Sequence, residues 1–197
     1  MPQPPRIDNR RDILLLLLYS PGVSDGVNEP VVGRTRLVKM LFLFRQEVLS
    51  EFRKGTEINE DNFYEFFAWS YGPFSSAVYD DLNFFSLRGF IEVSDSEEDT
   101  LPQSLEEWEH WLSGSSGGMA DDDIVDYAEQ EFRLTPKGCN WTQPLFESLN
   151  TSQKATLRTF KKQFNRTPLR AILRYVYETY PEYTDRSEIR TTVLGSE

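Results

Sequence analysis

Two segments constrain the fold of this chain more than any other part of it. Residues 33–44 (GRTRLVKMLFLF) and residues 70–91 (SYGPFSSAVYDDLNFFSLRGFI) read together as helix, tight Gly-Pro turn, helix and strand. In the first, Leu37, Met40, Leu41 and Phe44, continued by Val48, recur at spacings of three and four, which predicts a helix over 35–52 closed at Lys54-Gly55. In the second, Gly72-Pro73 predicts a turn, because proline fixes its own φ and biases the preceding residue away from helix. Ser75 or Ser76 then caps a helix running to about Arg88, with Val78, Leu82 and Phe85 as its apolar stripe and Leu87 beside it. Gly89 suits the left-handed residue that ends such a helix, and 90–93 follows as a strand.

The remaining elements assemble around this pair. Residues 1–9 are Pro-rich, and 10–19 read as a buried first helix capped by Asp8 or Asn9. Residues 20–32, with two prolines and two glycines, read as loop, and the aromatic-dense 63–71 as an irregular or partly extended segment. Residues 127–134 are extended and pair with 90–93 as a wing, so that 94–126 forms an enlarged wing tip, in which 105–112 (LEEWEHWL) makes a turn or two of helix. Thr135-Pro136 and Thr167-Pro168 each predict an N-cap followed by proline at the first helical position. A basic helix over 151–164 lies between them, and a last helix over 168–180 ends at Pro181, leaving a tail docked through Tyr183 and Ile189. The expected fold is mainly α: a compact helical domain with a winged-helix-like element and a short two-stranded hairpin. Residues 1–150 form that domain with the acidic insertion 94–126, and 151–197 are a helical extension packed on it.

Composition narrows the setting. An apolar fraction of 39% over 197 residues is enough for an ordered core. The apolar run 13–19 follows Arg6, Arg10 and Arg11 like the start of a signal peptide. It lacks a small-residue cleavage site and is far too short to span a bilayer, so no membrane association is expected. A single cysteine excludes an internal disulfide and fits a reducing, cytoplasmic location. The net charge of −11 is divided unevenly: residues 89–132 hold fourteen acidic and no Lys or Arg residues, whereas 151–174 hold seven basic and no acidic ones.

Catalytic constellations are missing from this pattern. His110 and Cys139 lack second soft ligands at metal-binding spacing, and Asp121-Asp122-Asp123 lacks the alternation of a calcium loop. Cys139 sits near a helix start, which can lower a thiol pKa, but no base is identifiable beside it. The glycines at 114, 117 and 118 lack the Lys-Ser/Thr of a phosphate loop. No metal, cofactor or enzymatic activity is expected. Two basic sets stand out instead: Arg34, Arg36, Lys39 and Arg45, and the row Arg158, Lys162, Arg166, Arg170 and Arg174 flanked by Lys161.

GRTRLVKMLFLF, YGPFSSAVYDDL with RGFI, and FRLTPKG together resemble the phage-associated family of SocA-like antitoxins, also called the Panacea domain. Residues 173–189 (LRYVYETYPEYTDRSEI) are similar to the C-terminal stretch of its longer, YwgA-like members, and the likeness covers most of 10–190 outside 94–126. The matching positions are Arg36, Leu37, Lys39, Tyr71, Gly72, Pro73, Ser75, Leu82, Gly89, Leu134, Thr135 and Gly138. The resemblance implies a helical fold with a winged-helix element and a binding role, as an antitoxin, proteolytic adaptor or accessory protein of mobile-element and defence loci. It brings no catalytic residues.

Two functions follow as expectations. In the first, a regulatory or adaptor protein engages a protein partner through Arg36, Lys39, Trp69, Tyr71, Trp108 and Trp111. In the second, a winged-helix regulator meets DNA through Arg34, Arg36, Lys39, Asn83, Arg88, Arg158, Lys162, Arg166, Arg170 and Arg174. Against the second, the helix over 75–88, where such a reader meets DNA, is expected to expose both Asp80 and Asp81 to the phosphates.

Overall fold

The computed structural model describes residues 7–54, 60–94 and 130–194. Helix α1 (Arg10–Tyr19) is started by a reciprocal cap in which the Asn9 side chain accepts from the Arg11 and Asp12 amides and the Asp12 carboxylate accepts from the Asn9 amide. Every residue from Ile13 to Tyr19 is buried, as expected for a helix that is apolar all round. Around it lie helices α5 (Pro136–Ser148) and α6 (Thr151–Arg166) and strand β5 (Glu131–Leu134).

Strand β1 (Val31–Val32) corrects the reading of 20–32 as loop throughout. It is only two residues long, too short for an alternation signal, and exists because β5 offers it an edge. Val31 and Val32 pair with Phe132 and Glu131, and just before them the Asn28 amide side chain bonds both the Leu134 carbonyl and its amide. On the other edge of β5 lies β4 (Ile91–Val93), with Ile91 opposite Leu134 and the Glu92–Arg133 ion pair at 3.0 Å. The expected pairing of the two wing strands is present as β4–β5, and β1 adds a third, so the antiparallel sheet has the order β1-β5-β4. With a hairpin between the second and third helices set aside, the order helix, strand, helix, helix, strand, strand is that of a winged helix, and the fold is mainly helical with small antiparallel β elements as its minor part.

The second helix of that arrangement is continuous but not uniform. Helix α2 (Arg34–Leu43) passes into a π turn (Phe44–Val48) and then α3 (Leu49–Phe52). Gly55 and the closing signal it carries lie outside the described residues. Helix α4 (Ser76–Leu87) begins after Ser75, which is extended and buried but makes no side-chain cap bond. It ends as expected at Gly89, φ 66°, where the Gly89 and Phe90 amides return to the Ser86 and Phe85 carbonyls.

Between α2 and α4 stands a two-stranded hairpin that the Gly-Pro reading misplaced. Strand β2 (Phe67–Trp69) pairs with β3 (Gly72–Phe74), Trp69 opposite Gly72, so the turn residues are Ser70 and Tyr71. Gly72 and Pro73 belong to the second strand; proline is tolerated there because a two-stranded sheet has only edges.

The last four helices close the core. Thr135 caps α5 by accepting from the Gly138 amide, and Asn150 caps α6 with Gln153 returning the bond. The second Thr-Pro pair differs: Thr167 donates its hydroxyl to the Gln163 carbonyl, and Pro168 is itself the residue before α7 (Leu169–Thr179). A 3-10 turn (Pro181–Tyr183) and a short helix α8 (Arg190–Leu194) follow, with Ile189 and Val193 buried in the same core as Leu14, Phe42, Leu157 and Val176. Among the described residues, no helix is long and apolar enough to cross a membrane.

Candidate interaction surfaces

Three of the cations expected at a surface serve the interior instead. Lys39 is buried, and its Nζ donates to the Tyr71 and Pro73 carbonyls at 2.8 and 2.9 Å. Arg36 donates through Nε to the Val32 carbonyl and through Nη1 to the Phe164 and Thr167 carbonyls, closing the open end of α6. Lys161, expected to flank an exposed row, is fully buried and holds the Leu18 and Ser20 carbonyls at the end of α1, at 2.6 and 2.8 Å. Each buried amine meets two carbonyl acceptors, which a neutral amine with two N–H groups satisfies as fully as an ammonium does.

Burial lowers both amines from 10.5 to about 7, although nearby Glu29 pulls Lys161 upward. Between those two values the unfolded chain binds more protons than the folded one, so stability rises with pH, by at most about 1.4 kcal/mol per pH unit for each lysine. From pH 7 to 9 the urea midpoint climbs, for a gain of roughly 2 kcal/mol per lysine and about 4 kcal/mol for the two. In a Lys39→Met/Lys161→Met chain the climb disappears. A midpoint that is level or falls over this range in the wild type contradicts the burial of the two amines.

Lys39 is the brace under a platform. The hairpin it holds is tied from the other side by the Ser187 hydroxyl and the Glu188 amide, both donating to the Ser70 carbonyl. Tyr177 packs under Gly72 and bonds Ser187 at 2.6 Å. On the opposite face the alternation of β2 sends Phe67 and Trp69 outward together, 46% and 55% exposed. Their rings lie 6.2 Å apart, and Phe74, the cross-strand partner of Phe67, lies within 6 Å of both. Tyr79 of α4 extends the face at 5.3 Å from Phe74, with the Arg34 guanidinium over its ring.

Of the residues expected to touch a protein partner, the structure thus brings Lys39, Trp69 and Tyr71 to one place, but only Trp69 is strongly exposed. Tyr71 is half-buried and contributes its carbonyl to Lys39, Arg36 is remote from this task, and Trp108 and Trp111 lie outside the described residues. Phe74 and Tyr79 were missed, and Phe67 was not singled out within the aromatic stretch 63–71. The Phe67-Ala68-Trp69 alternation signals such a face, but it is masked by the density of aromatics around it.

The DNA-contact set is divided. Arg34 donates to Gln130, Arg158 pairs with Asp25, and Arg174 lies 3.7 Å from Glu178. Lys162, Arg166 and Arg170 form no ion pair among the described residues; Arg166 is exposed, and Lys162 and Arg170 are half-buried. On α4, Asn83 and Arg88 are exposed as expected, but Asp81 is not. It is completely buried and accepts from Arg10 Nε and Arg11 Nε, both at 2.7 Å, so only Asp80 faces outward. The outer surface of α4 is instead apolar toward its end, with Leu87 88% exposed beside Phe84, over which Arg11 and Arg88 are stacked. Trp141 and Phe90 continue this second patch.

Cys139 is half-buried, and burial raises its thiol pKa rather than the helix start lowering it. Among the described residues no group of three or more His, Cys, Asp or Glu side chains is placed to hold a metal ion. The acidic run 121–123 and His110 lie outside the described residues. No protein-family model matches the chain, no curated protein matches it, and no solved structure matches it.

Proposed function

We propose that this protein is a binding module that engages a protein partner through the aromatic face of the β2–β3 hairpin. The observation that carries the reading is the combination of two outward aromatic side chains, Phe67 and Trp69, with a strand pair held rigidly from beneath by a buried lysine. Exposed aromatics cost solubility, and rigid ones lose little entropy on binding, so they suit the centre of an interface. The antitoxin-like or adaptor role implied by the family resemblance is one use of such a face, and it needs no chemistry from the chain itself.

A Phe67→Ser/Trp69→Ala chain tests this. Both side chains are about half exposed, so the variant keeps its thermal stability to within about 1 kcal/mol. Co-purification from the native cells, quantified by mass spectrometry, then loses the partner by at least about tenfold relative to wild type. Equal recovery with both chains rejects the hairpin as the contact surface.

DNA binding is the second reading, favoured by the winged-helix element order and by the row Lys162, Arg166 and Arg170. Its mark is salt-sensitive duplex binding that disappears when these three are changed to Gln. The loss of Arg36 and Lys39 to internal carbonyls leaves it fewer phosphate contacts than the sequence promised.

A further inference from the structure

The π turn in the second helix borders a cleft that the hairpin reading does not use. A π turn holds more residues than an α turn, widens the helix locally and recurs at functional sites. Here it brings Glu47 to the edge of a cavity of about 320 Å³ between α2, α6 and α7. Phe160, Phe164 and Ile172 form apolar walls, and Ala171 lies at the rim. The size is at the lower end of the roughly 300–1,000 Å³ typical of small-molecule sites.

Among the described residues that line this cavity, Glu47 is the only carboxylate or cation. It is positioned from one side only: the hydroxyls of Tyr175 and Tyr180 both donate to Oε1, at 2.8 and 3.0 Å. Its Oε2 receives no hydrogen bond from a described side chain. The bond to Glu47 raises the Tyr175 pKa, and burial followed by the same carboxylate raises that of Tyr180, so both phenols stay protonated as donors. A carboxylate with one oxygen fixed and the other available, set against aromatic and aliphatic walls, complements a cation that carries an apolar body.

We propose that this cleft binds a small organic ammonium ion, its N–H groups on Glu47 and its apolar body against Phe160, Phe164 and Ile172. The pocket selects by charge at one end and by shape at the other. Anions and neutral analogues of the same body lack the first interaction. This site is independent of the hairpin, so its failure leaves the partner-binding reading untouched.

Calorimetric titration with 4-phenylbutylammonium, 4-phenylbutanol and 4-phenylbutanoate tests it. The ammonium binds saturably, with a preference of about tenfold or more over the other two. Glu47→Gln keeps an oxygen acceptor for the two tyrosines and reduces the preference to about twofold. Ala171→Trp, at an exposed position, fills the cleft and abolishes binding while circular dichroism and the thermal midpoint stay those of the wild type. The proposal is overturned by equal affinity for the three probes, by an unchanged preference in Glu47→Gln, by unchanged ammonium binding in Ala171→Trp, or by no saturable binding up to about 10 mM.

Discussion

Gly138→Ala destabilises the protein by about 3 kcal/mol, lowering the thermal midpoint by roughly 6–12 °C. A Cβ at this position would lie 2.1 Å from the Phe90 carbonyl oxygen and 3.1 Å from Leu134 Cβ. The neighbour is backbone and cannot swing away. It is also already in use, since the Phe90 carbonyl accepts from the Thr135 amide and the Thr135 hydroxyl bonds the Gly89 carbonyl, fastening α5 against the start of β4. Alanine's better helix propensity returns about 1 kcal/mol, so the steric loss outweighs it. Gly89→Ala separates the two effects: its φ is 66° and nothing lies within 4 Å of the new Cβ. That change therefore costs only the backbone preference, about 1–2 kcal/mol. Chemical denaturation of both variants checks the order. A Gly138→Ala chain as stable as wild type contradicts the packing of α5 on β4.

Asp81→Ala costs about 2–3 kcal/mol. The carboxylate is completely buried and joins two arginines of α1 to α4, and Arg10 in turn lies over the Tyr64 ring. Removing one partner of a buried pair usually costs about 3–5 kcal/mol, but the Arg10 and Arg11 side chains are 34% and 44% exposed and regain water, which moderates the loss. A double-mutant cycle with Arg10→Gln returns a coupling of about 1–2 kcal/mol. Additive losses mean that the ion pair contributes nothing specific. The same residue changes how α4 is understood. With Asp81 turned inward and paired with two arginines, the outward face is not the doubly acidic one that its sequence suggests, and its end is apolar.

The elements of the winged arrangement were legible where periodicity or capping marks them. The stripe from Leu37 to Val48, the Gly89 stop and the Thr135-Pro136 start are local signals, and each lies where they point. What escaped depends on partners distant in sequence. Val31–Val32 becomes a strand only because β5 and Asn28 complete an edge. The π turn has no sequence mark, as Phe44–Val48 continues the helical stripe unchanged. Lys39, Lys161 and Asp81 were read as surface charges because isolated charges are rarely buried, and only the fold supplies the carbonyls and arginines that accommodate them. The candidate site was half visible. Trp69 was singled out as an aromatic, but the Ser70–Tyr71 turn was needed to align it with Phe67 and Phe74 on one face.

That face is the centre of the functional account, and site-specific photo-crosslinking tests it most directly. A photoreactive phenylalanine analogue replaces Phe67 in one chain and, in another, the exposed Gln143 of α5, a helix that packs on α1 and β5. The account predicts a discrete crosslinked protein partner from position 67 in native cells and none from position 143. Crosslinks of equal yield from both positions, or a partner captured at 143 alone, would contradict it.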